Sequence, residues 1–111
     1  MKISTQNYEY VCVLTLSGEY TTDDIDQFRR AIADRLDAGS KHFLIDCENL
    51  EFVDSSGLES WLRLQEQIGE RGGQVRLINP DDNLKKVMEM TRLDRAFEAH
   101  PTLEAAVRSV R

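Results

Sequence analysis

The chain has 111 residues, 41% of them hydrophobic and 31% charged, which suits one packed core and excludes a large multidomain enzyme, a barrel or a disordered chain. Lys and Arg total 14 against 20 Asp and Glu, a formal net charge of −6. That balance argues against direct nucleic-acid binding and against attachment to an anionic membrane, and it accommodates a basic protein partner. No apolar run is long enough to span a bilayer, and the opening MKISTQNYEY has no signal-peptide core, so a cytoplasmic protein without membrane insertion is expected.

In chain order, Tyr10 to Leu16 is rich in β-branched and aromatic residues and reads as a strand ending in a Ser17-Gly18 turn, with Ile3 to Gln6 as a short hairpin partner. From Thr22 the period becomes helical: Ile25, Phe28, Ile32 and Leu36 form one apolar stripe, Thr22 with Asp23 and Asp24 supplies cap chemistry, and Gly39 supplies the stop. His42 to Cys47 is a mostly continuous apolar run, as expected of a central strand covered by helices. Leu50 to Val53 then leads into the turn Asp54-Ser55-Ser56-Gly57. A second helix carries Leu58, Trp61, Leu62, Gln65 and Ile68 and stops near Gly69 to Gly73. Gln74 to Ile78 is a further strand, Asp81 to Met90 a third helix, and Leu103 to Val110 a small closing helix reached through a link around Leu93 and Phe97. The alternation predicts one α/β domain over 1–111 with a mixed sheet. Cys12 and Cys47 lie in apolar stretches without CxxC spacing, so buried free thiols are expected.

The stretch FVDSSGLESWL, 52 to 62, carries the chemistry most worth weighing. Two serines at a strand-to-helix turn, beside unpaired helix-terminal N–H groups, suit a regulatory phosphate, although Asp54 and the serines also serve simply as helix caps. Hydrolase chemistry is disfavoured: the motif is not GxSxG, and nothing connects His42 or His100 to the serines. The two histidines and two cysteines lack zinc spacing, and no cofactor is expected. Gly69, Gly72 and Gly73 follow a helix and precede a strand, the reverse of a dinucleotide loop. Trp61 reads as a packing residue, and the scattered arginines and lysines as a solvated surface. Glu59, Glu66 and Glu70 either form a solvated helix face or meet a positively charged partner.

The first strand with Ser17-Gly18-Glu19, LIDCENLEFVDSSGLESWLRL, GGQVRLINP, MTRLDRAF and the final PTLEAAV together resemble the STAS family over essentially the whole chain, and especially its free-standing bacterial anti-sigma factor antagonists. The resemblance implies a STAS-like mixed β-sheet with helices packed mainly on one side. It implies that Ser55, immediately after the loop aspartate, is the phosphorylated serine, that Ser56 is its unmodified neighbour, that Asp54 orients the loop and supports modification, and that Gly57 permits the turn. The dephosphorylated domain would bind an anti-sigma factor that is also a serine kinase and so release a sigma factor. ATP belongs to that kinase, a serine phosphatase would reset the switch, and the chain itself would be a protein substrate rather than an enzyme.

Neutral Ser55 would permit docking through 54 to 57 and the next helical turn, including Leu58 and Glu59, while phosphate there would repel the partner. Three positions depart from the family pattern. Thr21 replaces an acidic residue, Glu59 replaces the glycine often found after GL, and Thr91 replaces the glycine that commonly precedes Leu-Asp. The first two give weight to the alternative of a non-switching STAS scaffold or adaptor in another signalling or envelope-associated complex. No coiled-coil seam is visible, so a monomer is expected.

Overall fold

The computed structural model describes residues 1–110. Strands β1 (Lys2–Tyr8) and β2 (Val11–Tyr20) form an antiparallel hairpin. A single 3₁₀ turn, Thr22–Asp24, leads into α1 (Ile25–Asp37), followed by β3 (His42–Asp46), β4 (Leu50–Val53), α2 (Ser55–Glu70), β5 (Val75–Ile78), α3 (Asp82–Met90), β6 (Glu98–His100) and α4 (Leu103–Ser109). The sheet runs β1-β2-β3-β5-β6, with β4 added beside the far end of β2. Every pairing except the β1–β2 hairpin is parallel, and β3, the mostly apolar run, is central as expected.

Period-2 alternation divides the core between the two faces. Cys12, Leu14, Leu16, Phe43, Ile45, Val75 and Leu77 form one cluster with Phe28 and Ile32 of α1, Trp61 and Ile68 of α2, and Leu84 and Met88 of α3. Val11, Val13, Leu44 and Ile78 face the other way, onto Ala106 of α4 and Val110. Three helices on one face and one short helix on the other match the expected STAS-like mixed sheet.

Two boundaries differ from the sequence reading. Strand β2 does not turn at Ser17-Gly18 but continues to Tyr20, because Gly18 takes φ +91° where the register shifts, and the strand exchanges β3 for β4 as its partner. A positive φ at an irregular strand position is one that glycine accepts at little cost. The link near Phe97 contains β6, too short at three residues for periodicity to reveal. Cys12 and Cys47 are free and buried, and burial raises both thiols, Cys12 to about 11. Among the described residues no helix is long and apolar enough to cross a membrane.

Candidate functional site

The bend at Gly18 carries the end of β2 alongside β4, so the connection after β2 and the connection after β4 meet. Asp54, the last residue before α2, is its N-cap. Its Oδ1 accepts from the Gly57 N–H at 2.7 Å, and its backbone carbonyl accepts from the Leu58 N–H at 3.1 Å. Its Oδ2 accepts from the Thr22 N–H at 3.1 Å and the Thr22 hydroxyl at 3.4 Å, and its own N–H donates to the Tyr20 carbonyl at 3.1 Å. Both carboxylate oxygens are therefore engaged in fixing loop geometry, which makes Asp54 a clamp between the two connections.

Beneath the loop lies a buried polar chain. The Ser60 hydroxyl donates to the Gly57 carbonyl at 2.7 Å, so at 2.6 Å the Tyr20 hydroxyl is left to donate to Ser60 Oγ. Burial raises the Tyr20 phenol to about 12, against the hydrogen bond with Ser60, which lowers it. The Tyr20 ring stacks on Trp61 at a 5.9 Å centroid distance and tilts against Phe28 at 5.3 Å. A Cβ on Gly57 would stand 2.7 Å from Tyr20 Cδ2 and 2.9 Å from Val53 Cγ1. Gly57 is thus required by a close approach, since the aromatic floor rises to its backbone.

Above this floor the residues singled out from the sequence separate. Ser55 and Glu59 are exposed, Asp54 and Ser56 are half-buried, and Gly57 is buried. Leu58 is only 2% exposed and belongs to the core, so it supports the loop from below and does not line its surface. Glu59 pairs with Arg63 at 2.9 Å on the exposed side of α2. Thr21 is half-buried, and its N–H and hydroxyl both donate to Asp24 Oδ2, at 3.0 and 3.3 Å. The bond from the Thr21 N–H leads in holding the Asp24 carboxyl below its ordinary range. The cap before α1 accordingly begins at Thr21, while Thr22, expected as the cap, reaches across to Asp54. Trp61 is fully buried, a packing residue as its position on the apolar stripe suggested.

Neither histidine joins the serines. His42 Nδ1 accepts from the Gln74 N–H at 3.1 Å, and His100 pairs with Glu98 at 2.8 Å. Burial lowers the His42 imidazole, with Lys41 and Arg76 acting in the same direction. Sequence reasoning missed Tyr20 and Ser60, and the tie from Thr22 to Asp54, because the partners lie 32 to 40 residues away. It also missed Phe52, which is 52% exposed two residues before the loop aspartate and lines a small hollow with Leu84 and Val87 of α3. Strict alternation would have turned Phe52 toward the same face as Leu50, which is buried.

The family model described as STAS domain matches residues 2–106. An anti-sigma F factor antagonist of Paenibacillus polymyxa is 24% identical over 94 residues, 84% of this chain and 80% of that protein. A Thermotoga maritima protein of known structure superposes with a TM-score of 0.89 at 23% identity, covering 98% of this chain and 94% of its own. The Bacillus cell fate determinant SpoIIAA in its phosphorylated form gives 0.77 at 24% identity, covering 99% and 100% respectively.

Proposed function

Because the chain belongs to the STAS domain family, we propose that it is an anti-sigma factor antagonist that binds an anti-sigma factor with serine-kinase activity and is switched off by phosphate on Ser55. One observation carries the reading: Ser55 is exposed on the first turn of α2, on a loop whose aspartate is fully engaged in holding it still. With both oxygens committed to N–H and O–H donors, Asp54 supplies position, and the base that accepts the Ser55 proton belongs to the kinase. A fixed loop presents the serine hydroxyl in one orientation, which lowers the ordering cost of docking. Exposed Phe52 adds an apolar contact beside it.

Phosphate at Ser55 adds roughly −1.5 to −2 charges to a chain already at −6, one residue from Asp54 and four from Glu59. The partner surface that accepted a neutral serine then meets a dianion. A serine phosphatase restores the binding form. The chain acts as a regulated ligand rather than as an enzyme, in keeping with the separation of both histidines from the serines.

The test uses the serine-kinase anti-sigma factors of the source organism, each purified with nucleotide and titrated with Ser55→Ala and Ser55→Asp proteins. One of them is expected to bind Ser55→Ala at least tenfold more tightly. Equal affinity for the two proteins across all of them defeats the electrostatic switch and leaves a constitutive scaffold.

A further inference from the structure

We propose that the cleft between α1 and α2 beside Ser56 is a phosphate-receiving site, in which Arg29 and Arg63 hold a phosphate group carried by Ser56. Residues 56, 59, 60 and 63 recur at helical spacing and share one side of α2. Thr22, Ile25 and Arg29 face them from the 3₁₀ turn and α1, and together they enclose a cleft of about 190 Å³. Ser55 is not among its lining residues. The two adjacent serines therefore have different surroundings: Ser55 is exposed to solvent, and the half-buried Ser56 lines a cleft that Arg29 and Arg63 line as well.

Arg29 makes no ion pair among the described residues. Arg63 pairs with Glu59, where both side chains are more than 60% exposed, so the pair is screened and readily exchanged. A phosphate dianion offers a guanidinium stronger, bidentate hydrogen bonds than one exposed carboxylate does. Glu59 swings to solvent when phosphate arrives. Arg29 and Arg63 also border the adjoining hollow, whose other lining includes the apolar Phe28, Ile32 and Leu64, so the two guanidinium groups stand between that apolar pocket and the Ser56 end of the groove.

The proposal rests on the switch reading only for the origin of the phosphate. Transfer from a kinase's ATP forms the Ser56 Oγ–P bond, breaks the bond between the γ-phosphorus and the bridging oxygen of ADP, and passes the hydroxyl proton to a base on the kinase. The loop can then hold two distinct marks. Phosphate on Ser55 stands on the docking face, while phosphate on Ser56 folds back onto arginine and is largely neutralised.

Full-length protein with phosphoserine encoded at position 55 or at position 56 is titrated by phosphorus NMR, free of any kinase. The second phosphate pKa at position 56 is expected about one unit below the ordinary value near 6 and below that at position 55. It should return to the ordinary value in the Arg29→Gln/Arg63→Gln protein, whose fold is checked by circular dichroism. An ordinary pKa at position 56, or unfolding caused by that phosphate, overturns the site without touching the Ser55 switch. In a second arm, inorganic phosphate is titrated into the unmodified chain while the arginine side-chain signals are followed. No saturation below 1 mM is expected, and saturable binding there would overturn Ser56 as the source in favour of free phosphate.

Discussion

Gly57 is the residue at which local chemistry and tertiary packing meet most tightly. Its N–H is held by Asp54, its carbonyl by Ser60, and the space of its missing side chain by the Tyr20 ring. Gly57→Ala must push Tyr20 or Val53 aside, and the overpacking is expected to cost about 1–3 kcal/mol in urea unfolding. A loss below about 0.5 kcal/mol would show that the floor yields freely, contrary to the close approach described. The turn was legible from DSSG alone, but the reason for its glycine was not. A glycine after two serines suggests backbone freedom, whereas the structure assigns it to a ring arriving from 37 residues upstream. The same limit hid the hydroxyl chain from Tyr20 through Ser60, since neither residue carries a local signal of its partner.

At the scale of elements, the loop is held because β2 bends at Gly18 and delivers Thr22 to the aspartate that caps α2. Asp54→Ala removes the cap and the tie to Thr22 together and is expected to destabilise by about 1–2 kcal/mol. Asp54→Asn keeps an acceptor for the Gly57 N–H and should lose clearly less. Equal losses by thermal unfolding would contradict the division of roles between the two oxygens. The helices were readable because their apolar residues recur at a regular helical spacing, and the central strand because its short run is mostly apolar. Gly18 was misread as a turn because glycine marks a bulge and a turn alike, and β6 escaped notice because three residues carry no period. Phe52 broke the alternation rule at β4, whose two middle residues are both exposed.

For the whole molecule, ionisation couples directly to the buried core. Burial raises the Cys12 thiol from 9.0 to about 11 and the Tyr20 phenol from 10.0 to about 12, and it raises Cys47 as well. The unfolded chain therefore gives up these protons first. Their contribution to stability is intact below about pH 9 and is lost as pH rises through the folded values. The urea midpoint should hold between pH 7 and 8.5 and fall steadily from pH 9.5 to 11. A midpoint that stays level to pH 11 would mean that these groups are not buried as described.

The net charge of −6 also frames the account of function. On the proposed reading, a single dianion added to the exposed Ser55 would change the charge that this acidic chain presents at the loop. The decisive measurement is phosphate occupancy of the native-level protein, taken from its host under several growth conditions by peptide mass spectrometry, with fragment ions that separate Ser55 from Ser56. Phosphate on Ser55 is expected, with an occupancy that rises and falls between conditions. A loop peptide that is well detected yet unmodified at Ser55 in every condition would contradict it.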